Sequence, residues 1–172
     1  MKQTIIAVIC FLCVSSLYIQ AQKINHPSLL YTPQRIQQVK QRMQHEPKLQ
    51  EAWGDIKKTA NEALQKKDFN RLDYLSLAYL MTDNKEYADV IKEILLKAVE
   101  AESWGDVEMM ARIPAWRSQL GMAHKSFLSA VGYDAAYNVM PSSERKKIAE
   151  GLKRLAVEPA LGDWLLEPTR IH

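Results

Sequence analysis

Apolar side chains recur at three- and four-residue intervals through almost all of the chain after Thr32, and no stretch alternates apolar with polar as a half-buried strand would. The pattern therefore predicts an all-α fold. In TPQRIQQVKQRM, Thr32 is placed to cap a helix and Pro33 to occupy its first position, with Ile36, Val39 and Met43 on one stripe. A second helix is expected from Pro47, with Leu49, Ala52, Ile56, Ala60 and Ala63 or Leu64 facing inward. The third, RLDYLSLAYLM, is apolar nearly all round, which suits burial on more than one side. TDNK interrupts it, and EYADVIKEILLKAVEAE then sets Tyr87, Val90, Ile91, Ile94, Leu95, Ala98 and Val99 on one face. So short a turn makes the two helices antiparallel neighbours.

The longest helix is predicted from Pro114 to about Val139, with Gly121 and Gly132 inside it, about three turns apart and so on one face. Each glycine costs about 1 kcal/mol against alanine in a helix interior, and a closely packed neighbour would explain both. MPSSERKKIAEGLKRLA predicts a further helix capped by Ser142 or Ser143, with Ile148, Leu152 and Leu155 inward. VEPALGDWLL begins a short last one. No repeat with a recurring signature and no flexible linker interrupts the series.

The first residues change the picture of where this chain works. Lys2 precedes the uncharged run TIIAVICFLCVSSLYI, and Ala21 offers a small residue for cleavage, which is the build of a secretory signal over residues 1–21. The expected location is periplasmic or secreted. The run is short against the roughly 20 residues of a membrane span, so no stable membrane anchor is expected after cleavage. Both cysteines, Cys10 and Cys13, lie inside it, leaving the mature chain from Gln22 without disulfide, thiolate nucleophile or cysteine metal site. The formal net charge of +3 falls by one to +2 with the loss of Lys2, which is no footprint for nucleic acid.

Sharp catalytic motifs are absent: there is no P-loop, no G-x-S-x-G and no H-E-x-x-H, and His26, His45, His124 and His172 are scattered. Neither a metal nor a cofactor is expected. The informative stretch is SWGDVEMMARIPAWRSQLGMAHK. With a helix starting at Pro114, Arg112 and Arg117 would flank its N-terminus, where exposed N–H groups and the helix dipole already favour an anion. Their guanidinium forks suit a carboxylate or sulfate. Trp104 and Trp116 offer flat faces for a sugar ring. Asp163, Trp164, Arg170 and His172 near the chain end have the same character. The expected substrate-binding residues are therefore Trp104, Arg112, Trp116, Arg117, Trp164, Arg170 and His172.

INHPSLLYTPQRIQQVKQRM resembles the opening of the mature heparinase II/III-like and alginate-lyase-like polysaccharide lyases, with its His-Pro, its Leu-Leu-aromatic and its capped helix. RIPAWRSQLGMAHKSFLSAVGYDAAYNVMPSSERKKIAEGL is similar to their toroid segment. The resemblance spans most of residues 24–172. It implies antiparallel helix pairs forming part of an incomplete (α/α) toroid, the N-terminal portion over residues 22–172, and an acidic polysaccharide or oligosaccharide as partner. Such lyases cleave beside a uronic acid by β-elimination. The sugar carboxylate is neutralised by hydrogen-bond donors while a base removes the C5 proton. The Asn/His pair and Tyr that perform this in the family match no position here, so no catalytic residue is assigned.

GDWLLEPTRIH carries a Trp, an Arg and a His close to the last residue, where chain ends are usually polar, and it reads as a segment leading into a further helix pair. On that expectation the chain is truncated and half a ring leaves an apolar face open, with RLDYLSLAYLM the helix left partly uncovered. Two other readings are a toroid glycoside hydrolase using Asp106, Asp134 or Asp163, and a non-catalytic module binding glycan or protein.

Overall fold

The structure, a computed structural model, describes residues 24–166, and among them every regular element is helical. The expected signal segment, residues 1–21, lies outside the described residues. Helix α1, Pro33–Arg42, starts as its residues dictate: Pro33 needs no hydrogen-bond partner at the first position, and the Thr32 hydroxyl accepts the Arg35 N–H at 3.3 Å. Helix α2, Pro47–Lys66, is the longest at 20 residues. It ends where Lys67 turns left-handed at φ 51° and returns its N–H to the Ala63 carbonyl. A single tight turn, Phe69–Arg71, leads into α3, Leu72–Thr82. Asp83 at φ 57° reverses the chain, and the Asn84 side chain caps α4, Lys85–Ala98, by accepting the Glu86 N–H at 3.0 Å.

On α2 the inward stripe departs from expectation at one place. Ala52 is exposed, and the half-buried Trp53 packs against the core instead. Leu49, Trp53, Ile56 and Ala60 follow the helical repeat as closely as a stripe through Ala52, and the indole removes far more apolar surface from water.

Helix α3 is not left uncovered. It packs against α1, α2, α4 and α6 (Leu120–Ala136), with Leu72, Leu75 and Ala78 fully buried. Its all-round apolarity is the signature of a central helix, with α6 supplying the cover. Exposed large apolar side chains lie elsewhere, among them Val107, Ile113 and Leu120 and, near the end of the described residues, Trp164, Leu165 and Leu166.

The long helix predicted from Pro114 begins six residues later. A single helical turn, α5 (Val107–Met110), is capped by Asp106, and an irregular segment then runs to Gln119 before α6 begins at Leu120. After α6 and a tight turn, Tyr137–Val139, comes α7, Ser142–Leu152. Neither Ser142 nor Ser143 caps it with a side chain; Pro141 stands at the cap and its carbonyl accepts the Arg145 N–H. Wide helical turns at Lys153–Val157 and Gly162–Leu166 flank α8, Glu158–Leu161. Residues 142–166 thus form one helical run rather than two separate helices.

Only one of the two glycines in α6 marks a close approach. A Cβ on Gly132 would sit 3.3 Å from both Ile91 and Leu72, whereas Gly121 is exposed with nothing nearby. A closer approach occurs at Gly151 of α7, where a Cβ would overlap the branched side chain of Val99. Gly54, inside α2, has open space around it. Gly151→Ala is therefore expected to lose about 1–3 kcal/mol through overpacking, while Gly54→Ala should gain about 1 kcal/mol. Urea denaturation of both variants checks this, and a Gly151→Ala protein as stable as wild type would contradict the close contact between α7 and Val99.

Candidate functional site

The irregular segment between α5 and α6 carries most of the residues singled out from the sequence, and its shape is set from outside. After α5 the chain reverses, so that the Trp116 N–H returns to the Met109 carbonyl at 3.0 Å. In a helix beginning at Pro114 the Ser118 N–H would donate to the Pro114 carbonyl. Instead the N–H groups of Arg117 and Ser118 both donate to Oδ2 of Asp163, at 2.7 and 2.8 Å. The Ser118 hydroxyl donates to the same oxygen at 3.0 Å, and the Arg117 guanidinium donates to Oδ1 through Nε and Nη2 at 3.2 and 3.1 Å. Gly162 leaves room for that guanidinium: a Cβ there would lie 2.7 Å from its Nη2.

Asp163 is 4 % exposed. Burial alone pushes its carboxyl pKa up, but the N–H groups of Arg117 and Ser118, the Ser118 hydroxyl and the Arg117 side chain together outweigh that and hold it below the ordinary value. Arg117 was expected to receive an anion at a helix start. It does meet an anion, but the anion is Asp163 and the helix starts further on.

This clamp joins the neighbours of two tryptophans. Trp116 precedes Arg117 and Trp164 follows Asp163, and the two indoles meet edge to face with centroids 6.0 Å apart at 79°. They remain 39 % and 48 % exposed. Beside them opens a cleft of about 680 Å³ lined by Asp106, Glu108, Arg112, Trp116, Leu120 and Trp164, among others. The structure thus brings Arg112, Trp116, Arg117 and Trp164 into one neighbourhood. Trp104 is not among them. It is 5 % exposed, its Nε1 donates to the Ala98 carbonyl at 3.2 Å, and its ring meets Phe69 edge-on in the core. Arg170 and His172 lie outside the described residues.

A second carboxylate works in the same way. Asp134 of α6, 3 % exposed, accepts the N–H groups of Ser28 and Leu29, each at 2.8 Å, and the Nδ1 of His26 lies 2.6 Å from its other oxygen. The His26 ring stacks on Tyr137 with centroids 3.8 Å apart, and the Arg145 guanidinium also lies over Tyr137. The sequence alone gave no hint that His26 and Asp134 would meet, because 108 residues separate them. Asp106 accepts the N–H groups of Glu108 and Met109. Each of the three carboxylates considered for hydrolytic chemistry therefore holds backbone, and Asp163 is shifted away from the raised pKa that a general acid needs.

His124 is exposed on α6. Among the described residues, no helix is long and apolar enough to cross a membrane. Compared with known proteins, the chain matches no family model, no curated protein and no solved structure.

The clamp has a measurable acid limit. Because the folded-state pKa of Asp163 is depressed, its contribution is fully present above the ordinary carboxylate pKa of about 4 and is lost as pH falls through the lower folded value. The exciton signal of the Trp116–Trp164 pair in circular dichroism should hold from neutrality to about pH 4 and fade below it. Asp163→Asn should weaken that signal already at neutral pH and cost about 1–3 kcal/mol, since buried N–H groups lose a charged acceptor. An unchanged signal in Asp163→Asn would show that the indoles are placed by something other than the clamp.

Proposed function

We propose that residues 24–166 are the N-terminal helical part of an exported lyase that cleaves uronic-acid-containing polysaccharide by β-elimination. In this reading the helix pairs belong to an (α/α) toroid, and the catalytic base and acid lie outside the described residues. The observation that carries the glycan-binding part is the pair of half-exposed indoles, Trp116 and Trp164, held edge to face in the lining of a cleft. Half-exposed aromatic rings present an apolar face to a sugar ring and a polar edge to its hydroxyl groups. Arg112, exposed in the same lining, supplies a fork of donors for a sugar carboxylate. Helices α2, α3 and α4 follow one another through short turns and pack side by side, which suits the helix pairs of a toroid.

A second reading has its own observation. Asp106 and Glu108 share the lining with Arg112, so the cleft is not strongly positive and also suits a neutral glycan held by a non-catalytic module. Titration of the protein with a uronate oligomer and with a neutral oligomer of the same length separates the two. Stacking contributes about 1 kcal/mol per ring, so Trp116→Ala and Trp164→Ala should each weaken binding of the preferred oligomer about fivefold. Arg112→Ala should weaken the uronate alone. Preference for the neutral oligomer, with no response to Arg112→Ala, favours the module; binding of neither oligomer removes the glycan reading altogether.

A further inference from the structure

A separate cleft lies across the loop that follows α4, with Ser103 and Trp104 in its wall, whereas Asp106 belongs to the tryptophan cleft. It encloses about 550 Å³ between the C-terminal ends of α2 and α4 and the N-terminal half of α6. Among the described residues its lining carries four lysines, Lys66, Lys67, Lys97 and Lys125, against one carboxylate, Glu93. Glu93 is already engaged, its Oε1 lying 2.6 Å from the Lys67 ammonium. Four lysines less one glutamate amount to +3, as much as the formal net charge of the whole sequence. Phe69 and Trp104 add apolar surface to the same lining.

We propose that this cleft binds a compact polyanion bearing sulfate or phosphate esters on a ring. The physical reason is that like charges gathered round a concavity raise one another's energy, and an anion seated among them relieves it. Helix dipoles account for part of the clustering, because Lys66 and Lys97 lie in the last turns of α2 and α4, where a cation is favoured. They do not account for Lys125, which comes from the N-terminal half of α6. Lysine also selects the anion. Its ammonium is a point charge with three rotatable donors, suited to tetrahedral oxyanions, whereas the planar fork that matches a carboxylate is arginine's. Among the described residues, no arginine belongs to this lining. The site therefore differs in chemistry from the tryptophan cleft and does not depend on the lyase reading.

The test is calorimetric titration of the full chain with sucrose octasulfate and with inositol hexakisphosphate, beside a galacturonate trimer as a carboxylate-only probe. Saturable binding of a sulfated or phosphorylated probe, tighter than the trimer, is expected, and whichever of the two binds tighter identifies the ester. Replacing Lys66, Lys97 and Lys125 together by alanine should weaken it about tenfold or more. Replacing the exposed Lys48, Lys57 and Lys85, which lose the same charge away from the cleft, should change it less than about twofold. Equal losses in the two triple variants would mean diffuse attraction without a site and would overturn the proposal. So would a galacturonate trimer that binds as tightly as the esters, or the absence of saturable binding by any of the three probes.

Discussion

The carboxylate of Asp163 accepts hydrogen bonds from two consecutive backbone N–H groups lying 46 and 45 residues earlier in the chain, and that arrangement determines the tryptophan end of the molecule. Buried peptide groups must find partners. With Asp163 as acceptor, residues 117 and 118 need no helical partners, so the segment before α6 stays irregular and the helix begins at Leu120. The same contact engages the Arg117 guanidinium, so its donors serve the fold rather than a ligand. It also fixes the chain positions next to Trp116 and Trp164, so their edge-to-face pairing follows from the clamp.

Asp134 shows that the device recurs. Both carboxylates sit on helical segments, both accept two consecutive N–H groups, and both take a serine hydroxyl and a basic side chain from the held segment. In each case the held segment leads into a helix, α1 or α6. A charged acceptor makes shorter and stronger hydrogen bonds than a neutral one, which suits the task of holding a segment that has few regular hydrogen bonds of its own. At Asp163 the arrangement also limits the chemistry, because a carboxyl whose pKa is held below the ordinary value by its donors keeps its charge and does not readily serve as a proton donor.

This contrast explains which features were legible in the sequence. The starts of α1 and α2 were readable because Thr32 with Pro33, and Pro47, act within three residues of themselves, whereas TDNK was read only as a break and the Asn84 cap within it appears in the structure alone. The apolar stripes of α3 and α4 were readable because periodicity is local, and even the all-round apolarity of α3 pointed correctly to burial on several sides. The start of α6 was not readable, since the group that decides it lies far along the chain and no local rule names it. Arg117 is the instructive case: its need for an anion was apparent, but the anion is part of the protein. Trp104 misled because it is close to Trp116 in sequence, while its indole turns into the core against Phe69. The lysine cleft was invisible because its members come from three helices.

With the two proposals taken together, the clefts would divide recognition between contact and charge. Around Trp116 and Trp164, Asp106 and Glu108 offset the charge of Arg112, so the favourable contribution there is contact with a ring face, which is indifferent to the ligand's charge. Around Lys66, Lys97 and Lys125 the charge is predominantly positive, with Glu93 engaged by Lys67, and attraction there reaches outward over about a Debye length, some 8–10 Å at physiological salt, before screening removes it. A ligand carrying both sugar rings and anionic esters would thus be sorted by shape at one cleft and by charge at the other. The loop after α4 contributes to both linings, with Ser103 and Trp104 in one and Asp106 in the other. An alteration of that loop is therefore the change most apt to disturb both at once. It is held by the Trp104 hydrogen bond to Ala98, by the Arg154 guanidinium donating to the Val99, Ala101 and Glu102 carbonyls, and by the Asp106 cap of α5.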